Sequence, residues 1–537
     1  MAEKRKIKIT DISNPNLNPL VEVKPTETIE LPPPYDKLEN LPGFKKISES
    51  ARQVVDDSLD GVVAVGVPKP KSEKEEQELV EKFISGLIKL FSKENNWTFL
   101  QPLVLTMEHC AKCQTCAEEC PIFEASGYEE IYRPTYRAEI LRRLYFKYVK
   151  PGSPLLKKFQ VGDIELNWTL ISRLVELSYR CTICRRCAQA CPIGIDNGLI
   201  THELRKLFSQ ELGIAAKELH EKGTVQQLLV GSSTGMTPEV VKDNVAFIDE
   251  DLSERLGIKV ETKWDVYGAD YLLIHNAGEF LSWPENPAAF AILLDAAGIK
   301  WTLSSDLVGY DGVNYGVWYD DFQLARVAQK HFEIAKKLGV KGIIMGECGH
   351  ESKSMGIIAE RIFGNEIKTI NAMTLIEQIV FSGKIKFDPS RNYFPVVLHD
   401  PCNIVRLMGI VEPQRRVLRY LAPKFREMEP HGVENYCCGG GSGFAVMTPY
   451  NFLDWRMHIS GRKKFKQILD AFKDEPPGPE VPKYVCAPCS NCKGQIRDIL
   501  DYYGAKEKSG IYYGGLVELV VNAMVDLKEP FIDFSMM

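Results

Sequence analysis

The chain has 537 residues, 45% of them hydrophobic, and a formal net charge of −6 from 66 basic and 72 acidic side chains. Its length gives a prior of roughly three domains with enough apolar material for sizeable cores, and the near-balanced charge leaves no electrostatic footprint for nucleic acid. The most apolar run, Gly515 to Leu527, is short and broken by Glu518 and Asp526, so no segment is expected to span a bilayer and any membrane role needs a partner.

In chain order, residues 1–70 carry Pro15, Pro19, Pro25, Pro32, Pro33, Pro34 and Pro42 among scattered charges, without a sustained period. Proline fixes φ and removes a donor, so an extended tail is expected, either disordered or laid across a surface such as a partner subunit. The start, Met1-Ala-Glu-Lys-Arg-Lys, has no apolar signal segment behind it. Together with cysteines used as thiolates, this predicts a reducing, cytoplasmic setting.

Residues 71–215 are expected to form a helical domain. From Glu75 to Phe91, Leu79, Val80, Phe83, Ile84, Leu87, Ile88, Leu90 and Phe91 recur at helical spacing opposite a Lys/Glu face, which predicts an amphipathic helix packed against the rest of that domain. Two cysteine motifs then share one spacing, Cys110-x2-Cys113-x2-Cys116-x3-Cys120-Pro121 and Cys181-x2-Cys184-x2-Cys187-x3-Cys191-Pro192. Three thiolates two residues apart wrap one face of a cluster on a tight loop, while a fourth followed by Pro starts a new element and reaches the other cluster. One cubane [4Fe-4S] cluster is therefore assigned to Cys110, Cys113, Cys116 and Cys191, and a second to Cys181, Cys184, Cys187 and Cys120. Disulfides suit short secreted chains, and zinc would leave much of an eight-thiolate array unexplained. Between the motifs, Arg137 to Val149 and Leu166 to Tyr179 read as helices, so an all-helical two-cluster ferredoxin domain is expected.

Residues 216–264 are read as a linker punctuated by Gly223 and by Gly231-Ser-Ser-Thr-Gly235. Beyond it, short β-runs alternate with helices, the pattern of α/β layers. Tyr271-Leu-Leu-Ile-His275 matches Pro395-Val-Val-Leu-His399, and Gly342-Ile-Ile-Met-Gly-Glu-Cys348-Gly-His350-Glu351 matches Tyr484-Val-Cys486-Ala-Pro-Cys489-Ser-Asn-Cys492. The repeat predicts two α/β lobes, 265–388 and 389–537, related by a pseudo-twofold axis.

The second lobe carries Cys402, the pair Cys437-Cys438 and then Cys489-x2-Cys492. Adjacent cysteines point apart and suit an opened cluster whose irons are spread. Gly439, Gly440 and Gly441 would let backbone approach that cluster, since no Cβ intervenes. This constellation resembles the cysteine-rich CCG domain of heterodisulfide reductases. Two cubane motifs upstream of two such lobes, the first degenerate, make residues 90–537 similar to the heterodisulfide-reductase-like catalytic subunits of DsrMKJOP-type membrane complexes.

The resemblance implies one noncubane [4Fe-4S] cluster on Cys402, Cys437, Cys438, Cys489 and Cys492. Cys486 is an alternative ligand, disfavoured because the repeat sets it opposite Met345, within a strand. In the first lobe Gly278 replaces Cys402 and no cysteine pair stands near Tyr310-Asp-Gly312, so no second noncubane cluster is expected. Cys348 is then either a buried small residue or a thiol that lines a substrate pocket beside His350 and Glu351, with His350 or His399 as proton donor.

The implied activity is an oxidoreductase that takes electrons from menaquinol through a membrane cytochrome b partner (DsrM-like) and reduces a disulfide or trisulfide, that of a small DsrC-like protein in sulfite or sulfate reduction. The chain would sit peripherally on the cytoplasmic face. No flavin or NAD is expected in it, because Gly439-Gly-Gly-Ser-Gly443 lacks the G-x-G-x-x-G spacing. The alternatives are a noncatalytic electron-transfer subunit serving a glycolate, lactate or glycerol-3-phosphate dehydrogenase flavoprotein, and a structural organiser of a membrane complex.

Overall fold

The computed structural model describes residues 8–17, 20, 27–37, 66–96, 99–308, 310–312, 315–364, 366–447, 454–535 and 537. Pro19, Pro25 and Pro42 of the proline-rich tail lie outside the described residues. The chain divides into two compact units. One comprises Met1–Leu219, Trp318–Asp320 and Gly439–Lys463, the other His220–Val317, Asp321–Cys438 and Lys464–Met537.

The first unit is helical. Helix α1 (Glu73–Leu90) starts where the Ser72 hydroxyl accepts from the Glu75 amide and acidic residues fill the first turn. Its buried face, Phe83, Gly86, Leu87 and Leu90, packs on α2 (Asn197–Leu212). The fit is close: a Cβ at Gly86 would stand 2.5 Å from Glu211 Cγ. The segments between the cysteine motifs form helices Pro134–Leu144 and Trp168–Tyr179, the latter capped by Asn167.

Within this unit the described part of the tail lies on the chain's own helices. Buried Arg173 donates to the carbonyls of Ile12 and Asn14, each at 2.9 Å, and Asn167 Nδ2 donates to Ser13 O at 2.8 Å. The short 3-10 helix Ile9–Ser13 leaves the carbonyls at its C-terminal end without partners inside it, and a buried guanidinium needs acceptors, so each satisfies the other.

The second unit holds two four-stranded parallel sheets. β1 (Tyr271–Ile274), β2 (Trp301–Thr302), β3 (Gly342–Met345) and β4 (Lys368–Asn371) run in the order β2-β1-β3-β4. β5 (Val396–Leu398), β6 (Phe425–Arg426), β7 (Lys483–Cys486) and β8 (Ile511–Gly514) repeat that order as β6-β5-β7-β8. β3, β5 and β7 are buried along their whole length, as expected of parallel strands covered on both faces. Leu273 and Ile344 of the first sheet share one apolar core with Val396, Leu398 and Tyr484 of the second, so the two sheets are not separately cored.

Two expected boundaries change. Residues 216–264 are not a plain linker, because they contain helix α3 (Pro238–Leu256). Val241, Val245, Leu252 and Leu256, spaced at i+4, i+7 and i+4, are its buried apolar face. Leu252 and Leu256 join the sheet core, and Gly231 and Gly257 are left-handed helix caps. Within 389–537, the stretch Gly439–Lys463 groups with the helical unit instead of with the second sheet.

Candidate metal centres

In the helical unit, Cys110, Cys113, Cys116 and Cys191 line one cavity. Cys120, Cys181, Cys184 and Cys187 line another. Each cavity thus takes three thiols from one motif and the Pro-flanked thiol of the other. Both loops wrap by the same device, with non-glycine residues in the left-handed region at equivalent positions, Lys112 and Gln114 in the first motif, Ile183 and Arg185 in the second. That conformation is uncommon for such residues and persists where the surroundings over-determine it. Burial pushes the Cys116 and Cys120 thiols up to about 12 and Cys187 well above its ordinary value. Burial outweighs the cations nearby, Lys112 at one cavity and Arg137 at the other, so these gathered thiols favour the protonated form, and a metal ion would supply the charge that holds them as thiolates. Both sets therefore fit iron-sulfur clusters by donor chemistry and arrangement.

The second unit builds its site at the ends of paired strands. β1 ends at Ile274 and is followed by His275, and β5 ends at Leu398 and is followed by His399. β3 leads through Gly346 and Glu347 to Cys348, and β7 through Ala487 and Pro488 to Cys489. The two turns match: the Cys348 amide donates to Gly346 O and the Cys489 amide to Ala487 O, both at 2.7 Å. Cys348 and Cys489 then occupy the N-cap positions of helices Gly349–Lys353 and Ser490–Tyr503.

These turns bring thiols and imidazoles together. Cys348, His350 and Cys489 offer ligand atoms within 4.8 Å of one another, as do His399, Cys438 and Cys492, and all six residues are buried. The trios are neighbours, because the Cys492 thiol acts on Cys489 and both the Cys437 and Cys492 thiols act on Cys438. Cys402 and Cys437 stand outside both trios. Cys402, half-buried, precedes the turn Asn403–Leu407, and its neighbours Pro401 and Asn403 converge with Cys489 Sγ on the position a Gly349 Cβ would take, at 3.5, 3.4 and 3.6 Å. Cys486 is fully buried in β7 among the apolar core, the surroundings of an inert thiol.

The electrostatics are uneven across this group. Hydrogen bonds from Cys437 and Cys492, with His399 adding to them, hold Cys438 well below the ordinary thiol value. Burial opposes ionisation of Cys489, but hydrogen bonds from Cys348, Cys492 and His350 win and hold it low. Burial, reinforced by the Cys489 bond, pushes Cys348 well up. Two low thiols inside a ring of buried ones make a donor set that a metal can enter without stripping every proton first, so this third group also fits a cluster.

Two of the glycines after the cysteine pair lie close against protein backbone. A Cβ at Gly439 would stand 2.4 Å from Gly461 Cα, and one at Gly441 would stand 2.6 Å from the carbonyl oxygen of Thr182. The close approaches recorded at these two positions are to protein backbone. Fully buried Arg205 fastens the same stretch, donating to the carbonyls of Cys181 (3.0 Å) and Ser442 (3.3 Å).

Sequence reading missed the polar frame around the thiols. Arg415 Nη1 donates to Asp400 Oδ1 at 2.7 Å, and Asp400 Oδ2 accepts from the Gly432 amide at 2.7 Å. Lys464 is fully buried, and burial pulls its ammonium down to about 7 against the attraction of Asp400, Cys438, Cys437 and Cys492. Glu347, lifted to about 7 by burial, accepts from the amides of Leu516 and Val517 at 2.8 Å. Both oxygens of buried Glu351 lack a hydrogen-bond partner among the described residues, and burial raises it well above the usual carboxylate range. For Lys464 one signal existed: it stands four residues before Ile468 on the apolar face of helix Arg462–Ala471.

Comparison with known proteins agrees with this chemistry. The family model of a 4Fe-4S dicluster domain matches residues 106–195, and that of a cysteine-rich domain matches 396–497. The chain is 27% identical to the Hdr-like menaquinol oxidoreductase iron-sulfur subunit 2 of Archaeoglobus fulgidus, over 78% of this chain and 80% of that one. It is 26% identical to the Hdr-like menaquinol oxidoreductase iron-sulfur subunit of Archaeoglobus profundus, over 78% and 79%. It is 24% identical to one subunit of the dihydromethanophenazine:CoB–CoM heterodisulfide reductase of Methanosarcina barkeri, over 78% and 95%. No solved structure matches. These likenesses support an iron-sulfur oxidoreductase related to heterodisulfide reductases. No described helix is long and apolar enough to cross a membrane.

Proposed function

We propose that this chain is the catalytic iron-sulfur subunit of a menaquinol-oxidising membrane complex of the DsrMKJOP kind, in the DsrK position, and that it reduces a disulfide or trisulfide. The observation that carries this reading is the convergence of Cys438, Cys489 and Cys492 with His399, His350 and the extra thiol Cys348 in one buried group. A pure relay needs ligands alone; a spare thiol and two imidazoles among them are what sulfur chemistry requires.

Two cubane clusters and one noncubane cluster would supply one-electron transfer and an iron site for sulfur. Cys110, Cys113, Cys116 and Cys191 would hold the first, Cys181, Cys184, Cys187 and Cys120 the second, and Cys402, Cys437, Cys438, Cys489 and Cys492 the noncubane one. Reductive cleavage of R–S–S–R′ consumes two electrons and two protons and yields two thiols. Burial of the thiol group excludes water from the departing sulfur. His350, within 4.8 Å of the Cys489 sulfur, and His399, within 4.8 Å of the Cys438 sulfur, are the imidazoles placed to hand over those protons from a ring nitrogen. Cys348, held as a thiol by burial, faces the same space without being needed as a ligand.

The electron source in this reading is menaquinol through a cytochrome b subunit like DsrM, and the acceptor is a DsrC-like trisulfide. The equal strand order of the two sheets supports descent of both lobes from one unit, with the first having lost its cluster. Iron analysis of anaerobically prepared protein should find about twelve irons per chain, and electron paramagnetic resonance of the third centre should change when a disulfide or trisulfide substrate is added. A third signal indifferent to substrate would instead favour an electron-transfer subunit that leaves substrate chemistry to a flavoprotein, and about eight irons would remove the noncubane cluster altogether.

A further inference from the structure

The cation closest in kind to a counter-ion for the third thiol group is Lys464. It is fully buried, yet among the described residues its Nζ has only neutral hydrogen-bond partners: Asn435 Oδ1 at 2.8 Å, Gln467 Oε1 in a short contact, and Met428 Sδ at 3.9 Å. Among the described residues no carboxylate comes within ion-pairing distance of it. The nearest acid to act on it, Asp400, is committed to Arg415 and to the Gly432 amide. The other groups that act on it are the sulfurs of Cys438, Cys437 and Cys492, which as cluster ligands would be thiolates. An ammonium taken out of water is costly unless opposite charge offsets it, and beside Asp400 that charge is available only from the sulfurs of the third group once they ionise as ligands.

The position is also held. Asn435, whose Oδ1 accepts from Lys464 Nζ, stands two residues before Cys437. Its Nδ2 reaches Asp400 O at 3.4 Å, and its carbonyl accepts from Arg406 Nη2 in a short contact. Lys464 is thereby tied to the loop that carries Cys402 and to the loop that carries Cys437-Cys438. A side chain kept merely to fill space would not be a lysine, since Met or Leu fills it without the desolvation cost.

We infer that Lys464 is a positioning residue that balances the charge of the thiolate-bound third cluster and thereby raises the reduction potential at which it accepts an electron. A cluster held by five thiolates is net negative and reduction adds a further negative charge, so an ammonium nearby stabilises the reduced state more than the oxidised one. Net charge is among the levers that set iron-sulfur potentials. The inference rests on the noncubane reading of this site.

The test is a redox titration of the intact holoprotein, followed by electron paramagnetic resonance, comparing wild type with Lys464→Met, Lys464→Gln and Lys464→Arg, with total iron measured on each. In Lys464→Met and Lys464→Gln the reduced-to-oxidised ratio of the third cluster at a fixed potential should fall by about tenfold or more, a shift of at least ~59 mV to lower potential for a one-electron couple. Lys464→Arg should stay near wild type, and the two cubane couples should not move in any variant. If the neutral variants lose the third cluster while Lys464→Arg keeps it, the charge requirement stands. An unshifted third couple in Lys464→Met, an equal shift in Lys464→Arg, or loss of the cluster from all three variants overturns it. Wild-type protein with only about eight irons would bring down the noncubane reading itself, and this inference with it.

Discussion

Cys348 is the residue whose role divides ligand from reagent. Its thiol lies within 4.8 Å of the His350 and Cys489 ligand atoms, and burial keeps it protonated. Replacement by Ser removes the sulfur and keeps a small polar group. Cys348→Ser is expected to leave iron content unchanged while lowering disulfide-reductase turnover by about a hundredfold or more, the usual weight of a positioned proton-transfer group. Unchanged turnover would return Cys348 to the role of packing. His331 illustrates a separate residue-scale effect. It is fully buried, and burial lowers it to about 4 from an ordinary 6.5. A histidine depressed in the folded state gives stability that is fully present above pH ~6.5 and is lost as pH falls through ~4, a span worth roughly 3 kcal/mol. Urea unfolding measured in steps from pH 7 to pH 4 should show that loss in wild type and a flatter profile in His331→Leu. Equal slopes would show that other groups carry the acid sensitivity.

At the scale of elements, α3 makes the sharpest contrast between a linker and a packed helix. Leu256 is fully buried at its end and belongs to the core shared by the two sheets. Leu256→Ala should therefore cost about 2–5 kcal/mol, read from denaturant midpoints, where the same change in a true linker would cost nearly nothing. The helix was hidden because exposed Val240 and Phe247 blur its apolar stripe and its polar face, Lys242, Asp243, Glu250, Asp251 and Glu254, is heavily charged. The Gly-rich run just before it reads as a breaker when it is in fact a cap and a turn. The strand ends show the opposite case. Histidine after a β-run and cysteine after its parallel neighbour are local patterns, and the paired registers Ile274 with Met345 and Leu398 with Cys486 place both at the same edge of each sheet. The α1 helix was equally legible, because eight apolar residues at helical spacing leave only one face to bury.

For the whole molecule, the division into a unit holding the eight motif cysteines and a unit holding the thiol–imidazole group makes a testable statement about independence. Cys437→Ser or Cys438→Ser should abolish the third cluster while both cubane signals persist, with iron falling from about twelve to about eight per chain. Loss of all three signals would mean that neither unit holds its clusters without the other. The sequence by itself determined the eight-thiol array, the cysteine pair, the two sheets with their recurring His and Cys positions, and the class of chemistry. Those are matters of spacing along the chain, and metal-ligand spacing and strand period are local properties. Only the tertiary structure decided that the described tail segments satisfy Arg173 of their own chain, that Gly439 and Gly441 face backbone, that Cys348 meets Cys489, and that Lys464 turns inward among neutral partners. Each of those depends on residues tens to hundreds of positions apart, where burial and the pairing of polar groups, not periodicity, choose the neighbour.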